Sequence, residues 1–315
     1  MNFSSIVGHD SIKIRLSKII DSPGKFLFHG PPSSGKRTIA LELSKYALCQ
    51  GTKQDDCTCR SCQIFKQGHP DLLCIGQKGK ILVEDLNILI EFVSRAPLSS
   101  NTKAIVIDNI DSISTEAANR LLKTLEESPF IYFLITSNLP RVLSTIQSRC
   151  IKFEFGGLKQ EEITNILWKN FGFELTQASI LGWIGSGSSS DIFSNAGLYL
   201  KYRDMSFDFI SLFLGKDFIN ILDFIDKISK DELIIFLDML ILVLTDILLV
   251  HNLIEEVINF DRRSDLKDLS KKLPVKSLLV ILTYLTQVKK HLNLNINLNM
   301  FLKSSSIKIW SAVKA

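Results

Sequence analysis

Four groups of residues in this chain have the types and spacing to do chemistry. The first is Gly30-Pro31-Pro32-Ser33-Ser34-Gly35-Lys36-Arg37-Thr38, which fits G-x-x-x-x-G-K through Lys36. A loop of this kind turns backbone N–H groups around phosphates, and its lysine reaches the outer ones. A hydroxyl is expected at position 37 to hold Mg²⁺. Arg37 stands there instead, and its guanidinium would repel the metal. Thr38 is no replacement, because one step along a helix rotates the side chain by about 100°. The second group is Ile105-Val106-Ile107-Asp108-Asn109, an apolar strand ending in an acid that suits a metal-assisting position. The next residue would polarise an attacking water and should be Glu, whereas the amide of Asn109 cannot act as a general base. Taken alone, the segment also reads as a buried strand with a capping Asp108.

The third group is Cys49-x7-Cys57-x-Cys59-x2-Cys62, four thiols within fourteen residues. Clustered cysteines in a long chain read as metal ligands before disulfides, and four thiolates can close a tetrahedral zinc site. The 57/59 pair is tighter than usual, and His69 is a substitute ligand. Free thiols or redox pairing are the alternatives. Cys74 and Cys150 lie in apolar strand contexts and read as core residues. The fourth group is Ser148-Arg149-Cys150 before a strand. Arg149 is either a solvated surface cation or a finger reaching a neighbouring subunit's γ-phosphate.

The elements that must position these residues alternate through the first half. Strands are expected at 26–30, 71–75, 103–108, 131–137 and 150–155, with helices at 12–20, 38–48, 83–96 and 115–127. That alternation predicts a mostly parallel sheet covered by helices. Gly156-Gly157 is expected to end this unit. Two helices are expected within 158–204, separated by a flexible GSGSSS at 185–190. From about 206 the pattern is all-helical, broken at Gly215, 261–265 and Pro274.

The 315 residues carry a formal net charge of +4, which permits nucleic acid as a partner without implying it. Mean hydropathy is +0.19, so membrane insertion needs a test. In the most apolar run, 231–254, Asp238 and Asp246 fall eight residues apart on nearly one helix face. A charged stripe beside a wide apolar one predicts a bundle helix rather than a spanning one. The N-terminal MNFSSIVGHD lacks a basic region followed by an apolar run, so no signal peptide is expected and the location should be cytoplasmic.

Together these segments resemble the clamp-loader branch of the AAA+ ATPases. The resemblance rests on FLFHGPPSSGK, the cysteine cluster followed by GHPDLL, VEDLNIL, and above all EAANRLLKTLEESP with FLITSNLPRVLSTIQSRC. It covers most of residues 5–155; the second half matches in type and length, and in LNLNINLN. The fold it implies is α/β plus all-α. A nucleotide-binding-type parallel-sheet domain with a zinc module (about 49–62) would occupy 1–157, a helical lid 158–205, and an oligomerising helical collar 206–315.

Within this family, gamma and tau subunits are the motors and delta-prime subunits are not. A motor would carry Ser or Thr at 37, Glu at 109 and an arginine in the lid where Ser190 stands. The resemblance therefore implies a non-hydrolysing, delta-prime-like subunit. Its own nucleotide site would be degenerate at Gly30, Gly35, Lys36 and Asp108. Structural zinc would be held by Cys49, Cys57, Cys59 and Cys62. Arg149 would act in trans on a neighbour's ATP. The implied partners are gamma or tau and delta subunits in a hetero-oligomer, with the sliding clamp and primed DNA reached through the complex. The rival readings are an ATP-hydrolysing gamma-like motor and a zinc-bearing DNA-binding scaffold with no nucleotide role.

Overall fold

The computed structural model describes residues 6–20, 22–54, 57–65, 67–77, 79–187, 191–215, 220, 228–229 and 232–291. The chain forms two compact units, Met1–Glu162 and Ile163–Ala315. In the first, the elements run α1 (Asp10–Ser17), β1 (Lys25–His29), α2 (Lys36–Leu48), α3 (Arg60–Phe65), β2 (Leu72–Ile75), α4 (Val83–Ser94), β3 (Ala104–Ile107), α5 (Thr115–Glu127), β4 (Ile131–Thr136), α6 (Ser144–Gln147) and β5 (Ile151–Glu154). The five strands make one sheet in the order β2-β3-β4-β1-β5. Every pairing is parallel.

Parallel strands covered on both faces need apolar side chains on both, which is why the central β3 and β4 read as unbroken apolar runs, whereas the edge strand β5 alternates and buries only Phe153. Alternation then sorts them. Phe26, Phe28, Val106, Phe133 and Phe153 face Ile12, Leu16, Ile39 and Leu43. Leu27, Ile105, Ile107, Tyr132 and Leu134 face Leu86, Leu89, Ala118, Leu121 and Leu125. On the first face Phe26 stacks on Phe133 with ring centroids 5.6 Å apart, and Phe28 meets Phe153 edge-on at 5.9 Å. Cys74 and Cys150 pack partly buried against these two cores, as their apolar contexts predict.

The second unit is helical: α7 (Gln160–Phe171), α8 (Leu175–Gly187), α9 (Ile192–Leu214), α10 (Leu233–His251), α11 (Arg263–Lys272) and α12 (Val275–His291). Helix α10 packs against α9, α11 and α12. It is long and apolar enough to cross a membrane, with 56% of its most apolar window buried inside the protein. Its two acids do not form the exposed stripe that their spacing predicts. Asp238 pairs with Lys289 of α12, but Asp246 is buried. The Asp246 carboxylate accepts N–H bonds from Ile258 at 3.3 Å and Asn259 at 2.8 Å, and one from the Asn259 amide at 2.8 Å. A carboxylate so enclosed pins the following loop to the helix instead of facing water.

One expected loop is helical. Residues 185–187 of GSGSSS continue α8, while 188–190, including Ser190, lie outside the described residues. The LNLNINLN segment lies outside them as well.

Candidate functional site

The phosphate-type loop closes between β1 and α2, at the carboxyl edge of the sheet, where ligands bind in open α/β folds. Two glycines make it possible. A Cβ on Gly30 would stand 2.1 Å from the Phe155 carbonyl oxygen, so no larger residue fits between β1 and β5. Gly35 takes φ +83° as it caps α2, a conformation that L side chains rarely adopt. His9, which stands outside every motif of the sequence, braces the loop from outside. Its Nε2 donates to the Ser34 carbonyl at 2.7 Å.

Lys36 is buried, and its ammonium is spent on the loop itself. It donates to Gly30 O at 2.8 Å, to Pro31 O at 2.5 Å and to Ser34 Oγ at 3.2 Å. An ammonium has three donors, so an incoming phosphate must replace one of these bonds. Burial lowers the Lys36 pKa to about 8, against the partly offsetting charges of Asp108 and Asp111.

Arg37 does more than occupy the position of a metal-binding hydroxyl. Its NH1 lies 3.2 Å from Asp108 Oδ2. The two positions that would hold Mg²⁺ are therefore a cation and the carboxylate it neutralises. Asp108 Oδ1 also accepts the Asn109 backbone N–H at 3.0 Å, and the Asn109 side chain donates to Gly76 O at 3.0 Å. This donor set does not fit a divalent cation. Close by, Asp111 accepts the Thr136 hydroxyl at 2.5 Å, tying the loop after β3 to the end of β4.

The cysteine cluster gathers as expected. The four sulfurs of Cys49, Cys57, Cys59 and Cys62 all lie within 4.8 Å of one another. Cys49 Sγ is 3.6 Å from Cys57 Sγ and 3.9 Å from Cys59 Sγ. A tetrahedron with metal–sulfur bonds of 2.3 Å has sulfur–sulfur edges of about 3.8 Å, so the four thiols can hold a metal ion of that kind. The backbone N–H of Cys59 and the side chain of Thr52 pull the Cys57 thiol down to about 6. His69 is committed elsewhere. Its Nδ1 accepts the Asp71 N–H at 3.0 Å, which leaves Nε2 to bond Ser61 Oγ at 2.8 Å. With both ring nitrogens engaged, His69 offers no lone pair to a metal. Asp71 completes the support by accepting N–H bonds from Leu98, Ser99 and Ser100 at 2.6–2.8 Å.

Arg149 stands at the opposite edge of the sheet. The register pairs Phe26 with Ile151, so Arg149 is level with Gly24, before β1 begins. Lys36 and Asp108 follow the far ends of β1 and β3. Five residues of strand at about 3.3 Å each separate the two edges by about 16 Å. Arg149 therefore cannot serve the phosphate loop of its own chain. Its Nε donates to Glu126 Oε1 at 2.6 Å, its NH2 pairs with the same oxygen, and its NH1 donates to the Thr145 carbonyl at 2.9 Å.

Comparison with known proteins bears on both units. Residues 18–159 match the family model described as DNA polymerase III, delta subunit, and residues 200–304 match the model for the delta subunit's C-terminal part. The DNA polymerase III subunit gamma of Buchnera aphidicola is 32% identical over 176 residues, 53% of this chain and 48% of that protein. The subunit tau of Escherichia coli is 34% identical over 174 residues, 52% of this chain and 27% of that protein. The subunit delta' of Bacillus subtilis is 35% identical over 147 residues, 45% of each. The chain thus spans half or less of the length of these relatives.

Proposed function

Since the chain belongs to the DNA polymerase III clamp-loader family, we propose that it is the family's non-hydrolysing, delta-prime-like subunit, which supplies Arg149 to a neighbouring motor. The observation that carries this reading is the Arg37–Asp108 ion pair, which occupies the metal position of the chain's own site. A hydrolase would need that position open and a base after Asp108; Asn109 supplies none. The position of Arg149, at the amino end of the strands and about 16 Å of strand length from the end that carries Lys36, supports action on a different subunit.

In this account the neighbour is a gamma or tau subunit, and Arg149 places its positive charge where negative charge develops on the γ-phosphate. ATP-driven closure lets a hetero-oligomer that also contains delta open the sliding clamp and set it on primed DNA. Residues 158–205 act as a lid and 206–315 as an oligomerising collar. Zinc on Cys49, Cys57, Cys59 and Cys62 would knit the end of α2 to α3, a structural role with no part in the chemistry. The assembly works in the cytoplasm, without a membrane.

The gamma-like motor remains the rival, because gamma and tau proteins match more of the chain than delta' does. It predicts ATP turnover by the isolated chain that disappears with Lys36→Ala. The proposal predicts no such turnover. It predicts instead that Arg149→Ala lowers DNA-stimulated ATP hydrolysis in the reconstituted complex. An unchanged rate there would favour the zinc-bearing scaffold.

A further inference from the structure

We infer that Glu126 is the positioning residue for Arg149: it fixes the guanidinium so that its remaining N–H groups face the neighbouring subunit. This rests on the reading that Arg149 acts in trans.

A guanidinium carries five N–H donors in a rigid plane. Glu126 Oε1 takes one from Nε at 2.6 Å and lies in ion-pair contact with NH2, and the Thr145 carbonyl takes one from NH1 at 2.9 Å. Those contacts fix the plane and leave outer N–H groups for an outside acceptor. The pair is not buried: the side chains are 37% and 53% exposed. An exposed ion pair adds little to stability, so its worth lies in geometry. A long arginine side chain free in water has many rotamers to lose on meeting a phosphate, and one already fixed avoids that cost.

The chain places Glu126 for this task. Helix α5 leaves the carboxyl edge of the sheet with Ser114 as its cap, the Ser114 hydroxyl accepting the Ala117 N–H at 3.3 Å. It returns antiparallel to the strands, so its last turn, with Glu126, arrives at the amino edge beside Arg149. The Thr145 carbonyl comes from the short helix α6 just before Arg149. The finger is thus held from two sides by separate elements. A carboxylate beside the finger also lowers its net charge. It would restrain Arg149 if it had to let go, but here it leaves outer donors of the guanidinium free and need not.

The test uses the complete complex, reconstituted with motor subunits whose phosphate loops are inactivated except at the site next to this chain. Glu126→Ala should lower kcat for ATP about tenfold with KM within about twofold. Glu126→Asp should restore part of the rate and Glu126→Gln less. The double variant with Arg149→Ala should be no slower than Arg149→Ala alone. A kcat unchanged or raised by Glu126→Ala, or a double variant slower than Arg149→Ala, overturns the inference. If Glu126→Ala fails to fold, Glu126→Gln carries the same comparison. Arg149→Ala without effect would instead overturn the underlying reading, so the two failures are distinct.

Discussion

At the residue scale, the departures at 37 and 109 are not merely missing groups. Arg37 binds the carboxylate that a metal would need. Arg37→Ser should free Asp108 and make nucleotide binding depend on Mg²⁺, as read by calorimetry with and without the metal. Turnover should stay absent because Asn109 offers no base. Binding indifferent to Mg²⁺ in that variant would contradict this account. Lys36 gives a pH prediction. Its folded pKa is lowered to about 8 from 10.5, so between those values the unfolded chain holds the extra proton and stability rises with pH. The cost of burying the ammonium is complete below about pH 8. Lys36→Met lacks that ionisation, so the stability of the native chain relative to Lys36→Met should rise by at most about 1.4 kcal/mol per pH unit above 8. Urea melts of both proteins at pH 7 and 9 decide it; a relative stability of the native chain that falls with pH would reverse the sign.

At the element scale, the strands and the flanking helices were legible because buried parallel strands leave unbroken apolar runs between turn residues. Helix α8 was not. Its polar residues, Thr176, Gln177 and Ser179, are grouped in its first turns and it ends in Gly-Ser-Gly, so it carries neither an amphipathic stripe nor a helix former at its close; packing of Ala178, Ile180 and Leu181 decides it. The contacts that define the sites were illegible for a different reason. Arg37 meets Asp108 across 71 positions, and Arg149 meets Glu126 across 23. Such pairs exist only once the sheet order is set. Spacing showed that Asp238 and Asp246 share a helix face but not which was covered. Asp246→Ala removes the acceptor for the Ile258 and Asn259 N–H groups and should cost about 2–3 kcal/mol in denaturant unfolding, more than Asp238→Ala. Equal losses would contradict the pinning role. At the cysteine cluster, Cys62→Ser should drop bound zinc well below one per chain by elemental analysis. Cys74→Ser should not, and far-UV circular dichroism should keep the sheet signal in both.

At the scale of the whole molecule, the sheet separates two roles by its thickness along the strands. The carboxyl edge carries a phosphate-type loop closed on its own lysine and an acid closed on its own arginine. The amino edge carries an arginine held by a carboxylate, with donors to spare. In the proposed reading, a chain built this way acts on a nucleotide held by its neighbour. The high mean hydropathy belongs to helices such as α10, 56% of whose most apolar window is buried inside the protein. The central claim is that Arg149 completes a neighbour's catalytic site. It is tested most directly by DNA-stimulated ATP hydrolysis in the reconstituted complex containing Arg149→Ala, with the adjacent motor site alone active. The account predicts a loss at that site of up to about 10³-fold, with assembly of the complex intact. A hydrolysis rate equal to that of the unsubstituted complex would contradict it.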